Sequence, residues 1–204
     1  MEFKPAVLTS TTANLILETV KSFVFAIVVC SIIYLFILTP NQVEGTSMLP
    51  NFHNGELVLT NKVSEWLGAT QVGLSLGLDY HRGDVVVVAK PNMDNPIIKR
   101  IIGLPGDKIE IKQNQIFIND QVLEETYLPD TTITIAGTFL HPGESKTIPE
   151  HHYAVMGDNR ENSLDSRYTD IGFINRDWIQ GKVVFRYWPP SAFGVVSSGE
   201  SNLN

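Results

Sequence analysis

A chain of 204 residues has room for one modest globular domain and an appendage. With 43% hydrophobic and 18% charged residues it can pack a core, which argues against general disorder. A net charge of -7 offers no basic footprint for phosphate backbones and excludes nucleic acid as a partner. The single cysteine, Cys30, rules out an internal disulfide, and the usual zinc spacings are absent; no metal and no cofactor is expected.

The first element is apolar. No residue from Ser22 to Val43 is charged. A bilayer core of about 30 Å needs roughly 20 helical residues, so this run can span one. A buried core helix would show a polar face, and this one is apolar all round. A cleaved leader would end in a small-x-small site, and Thr39-Pro40-Asn41-Gln42-Val43 offers none. The expectation is a retained anchor over 22–40, after a cytoplasmic stretch 1–21. Lys4 and Lys21 precede the run, and the twenty residues after Leu38 hold no Lys or Arg. The positive-inside rule then puts the N-terminus in the cytoplasm and the rest of the chain outside, or in a lumen.

Eight residues lie between Leu38 and Ser47. An extended residue covers at most about 3.6 Å, which keeps Ser47 within roughly 30 Å of the membrane face. Ser47 sits in Val43-Glu44-Gly45-Thr46-Ser47-Met48-Leu49-Pro50, and a serine needs a base within hydrogen-bond reach to act as a nucleophile.

The following chain reads as strands. Glu56–Thr60 follows an Asn-Gly turn signal. Val85–Ala89 is a continuous, mostly β-branched run, the mark of a strand buried on both faces. Ile97–Ile102 ends at Gly103-Leu104-Pro105-Gly106-Asp107. Ile109–Lys112 and Gln115–Asn119 flank a Gln113-Asn114 turn as a hairpin. Tyr153–Met156 and Lys182–Tyr187 are further strands, and Asn175–Ile179 suits one helical turn. A β-rich domain is thus expected over 41–192 and a disordered tail over 193–204. Val63–Tyr80, with Trp66, Leu67, Leu74, Leu76 and Leu78 among glycines, reads either as a loop or short helix packed on the domain or as an apolar surface loop dipping into a membrane interface.

Two kinds of base could serve Ser47. His53, His81, His141, His151 and His152 stand in no convincing motif. Lys99 sits among isoleucines, where lost hydration lowers a lysine pKa, and a neutral amine can take a proton from serine. Lys99 and Arg100 should point to opposite faces of their strand. Gly157–Arg167 is a dense polar loop in which Asp165 with Arg167, or Asp158 with Arg160, could form rigid pairs and Ser163 could meet a catalytic amine.

Gly45-Thr46-Ser47-Met48-Leu49-Pro50, Arg82-Gly83-Asp84-Val85-Val86-Val87, Lys99–Asp107 and Gly157–Arg167 together, in this order and behind an anchor, resemble the type I signal peptidase (leader peptidase) family. The resemblance implies an antiparallel β catalytic domain and a membrane-anchored serine endopeptidase. It matches Ser47 to the nucleophile, Lys99 to the general base and Ser163 to the serine that orients the amine. It matches Asp165 and Arg167 to residues that hold the wall, where Asp158 and Arg160 also stand. It implies cleavage of signal peptides after small residues (Ala-x-Ala sites), with the preprotein bound as an added strand beside the enzyme. Gly45 stands where one branch of the family carries a serine that donates to the oxyanion. The Ser47 backbone N–H is the obvious first donor, and the second donor is unnamed. The implied partners are preproteins and a lipid bilayer, in the cell membrane or a thylakoid, for a monomer near the translocation machinery. A silent, membrane-tethered β domain that binds exported proteins is the alternative from another class. A self-cleaving Ser–Lys repressor would need a DNA-binding domain in place of the anchor.

Overall fold

A computed structural model describes residues 10–91 and 93–203. The chain divides into two units after Leu38. The first is helix α1, Ser10–Phe36, within which Thr12–Tyr34 is long and apolar enough to cross a membrane. It begins well before Ser22, because helix geometry tolerates Glu18 and Lys21, which pair at 2.9 Å.

The second unit is mainly antiparallel β. Its elements are β1 (Leu38–Gln42, starting at the unit boundary), β2 (Leu57–Asn61), the short helices α2 (Val63–Trp66) and α3 (Gln71–Ser75), β3 (Val85–Val88), β4 (Ile97–Gly103), β5 (Lys108–Lys112), β6 (Gln115–Ile118), β7 (Gln121–Val122), β8 (Ser145–Thr147), β9 (His152–Met156), β10 (Ile174–Asn175), β11 (Ile179–Trp188) and β12 (Gly194–Val195). The larger sheet runs β1-β2-β11-β3-β4-β9-β10, with β12 beside β11, and the smaller runs β7-β6-β5-β8.

The valine run of β3 is buried throughout, as its composition requires. Val85 and Val87 join one core cluster with Val43, Met48 and Ile98, while Val86 and Val88 join another with Ile101 and Tyr153. One strand therefore serves two cores. Full burial of each such side chain is worth roughly 1.5–3 kcal/mol. A third cluster, with Ile109, Ile111, Ile116 and Ile118, fills the space under the smaller sheet. The β5–β6 hairpin turns on Gln113 and Asn114 at φ 53° and 60°, the left-handed pair that a two-residue turn demands. Arg176–Trp178 forms the single expected turn of helix.

The tail does not hang free. Ser198 Oγ donates to Asp84 at 2.6 Å, Gly199 N to the Gly83 carbonyl at 3.0 Å, and Arg82 Nε to the Leu203 carbonyl at 2.8 Å. Glu124 N donates to Asn202 Oδ1 at 2.8 Å. The segment expected to be disordered straps across the domain as far as Leu203. Its small side chains make that possible: a Cβ on Gly199 would fall 2.2 Å from the Tyr127 ring.

Candidate active site

Ser47 lies on a turn whose ends are fixed on both sides. Val43 N donates to the Glu56 carbonyl, and Gly55 N donates back to the Val43 carbonyl, both at 2.8 Å. Met48, 2% exposed, is sunk in the core beside Phe52 and Val58. Between them Gly45 adopts φ +80°, which an L side chain rarely takes, and its N–H donates to Asn54 Oδ1 at 2.8 Å.

The loop after β9 presses on this turn from the other side. Asn159 N donates to the Ser47 carbonyl at 3.0 Å, and Asn159 Nδ2 to the Thr46 carbonyl at 3.1 Å. Asn162 Nδ2 donates to Thr46 Oγ1 at 2.9 Å. Gly157 permits the approach, since a Cβ there would sit 2.4 Å from the Ser47 carbonyl oxygen and 2.3 Å from Ser163 Oγ.

β4 supplies the amine. Lys99 is 3% exposed, and its Nζ donates to Ser47 Oγ at 2.6 Å. Burial pulls its pKa from 10.5 down to about 8; the carboxylates of Asp165 and Asp158 pull the other way, and Arg167 adds to the fall. The amine is thus poised to exist neutral at mildly alkaline pH, against a hydroxyl within proton-transfer distance. Arg100 faces away, as strand alternation predicts, and meets a partner instead of solvent. Its Nε and Nη2 hold Asp158 at 2.8 and 2.7 Å.

The polar wall follows the expectation in part. Arg167 grips Asp165 through Nε at 2.8 Å and Nη2 at 2.9 Å, and Gly157 N donates to the same carboxylate. The pairing of Asp158 with Arg160 does not occur. Asp158 is taken by Arg100 and by Asn51 Nδ2 at 2.8 Å, while Arg160 reaches Glu125 at 2.7 Å and Thr134 Oγ1 at 2.7 Å. Each of the two side chains is taken by a partner from another segment of the chain. Ser163 lies in the same loop, but its buried Oγ has no hydrogen-bond partner, Lys99 included, among the described residues. Among the described residues no histidine bonds Ser47. His53 lies by Glu56, His81 by Asp84, and His152 Nδ1 contacts the Glu150 carbonyl.

Beside the pair is a cleft of about 190 Å³ lined by Gln42, Glu44, Ser47, Asn95, Pro96, Ile97, Ile98 and Lys99. Its two walls carry open backbone. Val43 spends its hydrogen bonds on the β2 side, and Glu44 makes none among the described residues. On the far wall, β9 pairs with β4 only from Arg100 onward, which leaves Ile97–Lys99 unpaired on that side among the described residues. The Ser47 N–H likewise has no partner among the described residues. The site can accept an extended peptide between two strand edges and present a hydroxyl, an amine and a free N–H to one carbonyl.

Sequence reading alone did not single out Asn51, Tyr127, Glu125, Asn159 or Asn162. Asn159 and Asn162 lay inside the loop it marked. Tyr127, whose ring centroid is 4.0 Å from the Arg100 guanidinium, and Glu125 carried no local signal.

A buried lysine donating to a serine hydroxyl, set in an antiparallel β frame beside a cleft, is geometry that suits a serine hydrolase. Residues 16–188 match the family described as signal peptidase, peptidase S26. Signal peptidase IB of Staphylococcus aureus strain COL is 38% identical over 201 residues, covering 93% of this chain and 98% of that protein. Signal peptidase I of Bacillus licheniformis is 33% identical over 183 residues, covering 86% and 90%. A solved signal peptidase I from Enterococcus faecalis V583 is 29% identical and covers 51% of this chain and 96% of its own, at a TM-score of 0.43. The chain belongs to the signal peptidase family, serine endopeptidases that remove signal peptides. Its apolar N-terminal helix fits a membrane-anchored member.

Proposed function

We propose that this chain cleaves exported preproteins through a Ser47–Lys99 dyad and an acyl-enzyme. The 2.6 Å contact between a buried, pKa-depressed Lys99 amine and Ser47 Oγ carries the reading. The preprotein lies extended in the cleft, hydrogen-bonded to the free edges at Glu44 and Ile97–Lys99. The cleft beside Ser47 holds only about 190 Å³, which suits small side chains at the first and third positions before the bond, as in Ala-x-Ala.

Neutral Lys99 takes the Oγ proton as Ser47 forms a C–O bond to the carbonyl carbon. The Ser47 N–H donates to the developing oxyanion, and its second donor is unassigned. Lys99 passes the proton to the leaving nitrogen, the C–N bond breaks, and an ester to Ser47 remains. Lys99 then takes a proton from water, the resulting hydroxide attacks the ester, and the proton returns to Ser47. The Asp165–Arg167 and Asp158–Arg100 pairs hold the wall around the amine, and Arg160 holds it through Glu125. The charge asymmetry around the helix supports an N-terminus in the cytoplasm and a domain outside or in a lumen.

The full chain in detergent, incubated with a preprotein carrying an Ala-x-Ala site, should cleave it at one bond. Ser47→Ala and Lys99→Met should each abolish that cleavage while keeping the native circular dichroism spectrum. Substantial activity in Lys99→Met would defeat the dyad.

A further inference from the structure

The cleft beside Ser47 and Lys99 is blocked at one end. A peptide added along Ile97–Lys99 would next have to lie beside Arg100, and that place is taken by Met156 of β9. The loop that follows Met156 closes the corner. Its Asn159 N donates to the Ser47 carbonyl at 3.0 Å, and Gly157 approaches that carbonyl so closely that a Cβ would sit 2.4 Å from its oxygen. A peptide that fills the cleft up to Ser47 therefore cannot run straight on. It has to leave over the Ser47 turn and the loop pressed against it.

Those same two elements line a second cavity. It holds about 360 Å³, nearly twice the volume of the cleft. Leu49 and Pro50 bound it on the Ser47 side, Asn159 and Glu161 on the loop side, and Pro129 and Ile133 supply a third wall. Leu49 is two residues past Ser47, so their Cα atoms are at most about 7 Å apart. Two residues of an extended peptide cover the same distance.

The lining differs from that of the cleft. Leu49, Pro50, Pro129 and Ile133 make apolar walls, and Ile133 is 43% exposed with room to be covered. Two of the charged residues are already committed. Asp158 is held by Arg100 and Asn51, and Arg160 by Glu125. Glu161 is exposed, and its carboxylate has no partner among the described residues. A partly open apolar cavity of this size has space for a larger side chain than the cleft does, and a free carboxylate on its rim attracts a cation and repels an anion.

We propose that this cavity is the subsite for the first residues after the scissile bond, selecting an apolar side chain there and a cation over an anion. The proposal rests on the reading that the preprotein fills the cleft with the small residues that precede the bond. The enzyme then reads both sides of the bond, small residues before it and a larger one after. Of two Ala-x-Ala sites in one preprotein, it would cut the one followed by an apolar residue.

Four peptides test this on the full chain in detergent. They share one Ala-x-Ala segment and differ only at the second residue after the bond, which is Leu, Ala, Lys or Asp. The Leu peptide should exceed the Ala peptide in kcat/KM by about tenfold. At low ionic strength the Lys peptide should exceed the Asp peptide by about threefold. Ile133→Ser should bring the Leu-to-Ala ratio towards one, and Glu161→Lys should invert the Lys-to-Asp ratio. Partial unfolding of a variant lowers all four values alike and leaves the ratios in place, so the ratios report the cavity and not stability. Equal kcat/KM for all four peptides overturns the proposal, and so do ratios that neither variant changes. Fluorescence anisotropy of the same peptides, labelled, on Ser47→Ala reads the cavity without catalysis. Tighter binding of the Leu peptide there, with no cleavage of any peptide by the unmodified chain, would sink the dyad and keep the subsite. Equal cleavage of all four would sink the subsite and keep the dyad.

Discussion

Asp158 and Arg100 form a buried bidentate pair, side by side with the catalytic candidates but facing away from them. The carboxylate is fully buried, and Arg100 is 3% exposed with its guanidinium over the Tyr127 ring. The pair joins β4 to the loop that holds Ser47, and Asn51 extends the joint into the turn after Ser47.

Asp158→Ala should therefore destabilise far beyond the loss of a surface ion pair. It strands a buried guanidinium, which typically costs about 3–5 kcal/mol. Urea unfolding of the full chain in detergent measures this. Asp130→Ala, which removes an exposed carboxylate, should change stability by less than about 0.5 kcal/mol in the same assay. Equal effects would mean that Asp158 is not the joint.

Activity should rise with pH through about 8, where Lys99 loses its proton. Asp165 opposes that loss, because its negative charge favours the ammonium. Asp165→Asn should accordingly move the rising limb of kcat/KM to lower pH, and the now unpaired Arg167 should move it further the same way. A limb that stays in place, or moves up, would show that Lys99 is not the titrating base.

The same shift has a stability consequence. Between about pH 8 and 10.5 the unfolded chain holds the Lys99 proton and the native chain does not, so native stability rises with pH across that window. Below it the folded protein bears the full cost of a buried ammonium. Lys99→Met, which fills similar space without charge, should raise stability at pH 7 by about 1–3 kcal/mol. The difference should close as pH approaches 10.5. Thermal melts at pH 7 and pH 10 would show it, and a destabilised Lys99→Met at pH 7 would contradict the burial cost.

How much of this could be read from residues alone depended on the range of the interaction. The β-branched runs at Val85–Val88 and Ile97–Ile102 announced their strands, and period-two alternation put Lys99 and Arg100 on opposite faces. Short edge strands such as Gln121–Val122 and Ile174–Asn175 have no pattern of their own and exist only by pairing with neighbours. The partner of Asp158 lies 58 residues away, so proximity in sequence pointed to Arg160 instead. In the tail, glycine and serine resemble the composition of disorder. Here they are what lets backbone pack against Gly83 and Tyr127. The Ser47–Lys99 pairing was legible through motif resemblance, while the polar contacts on Thr46 needed the folded loop.

Two glycines near Ser47 make opposite demands, and substitution should separate them. A Cβ on Gly45 meets nothing within 4 Å, so Gly45→Ala faces only the cost of φ +80°. That cost is about 1 kcal/mol, with activity falling by no more than about tenfold as the turn adjusts. A Cβ on Gly157 would sit 2.4 Å from the Ser47 carbonyl oxygen and 2.3 Å from Ser163 Oγ. The carbonyl cannot yield without dragging the Ser47 peptide and breaking its bond from Asn159 N. Gly157→Ala should therefore lower kcat by about 10²-fold or more, the penalty expected when a reacting group is displaced by about an ångström. The fall should appear in kcat more than in KM, because the cleft walls at Glu44 and Ile97 are untouched. Steady-state kinetics on one peptide for both variants decides it. If Gly45→Ala were the more damaging, the left-handed turn at Gly45 would matter more to the placement of Ser47 than the close approach at Gly157.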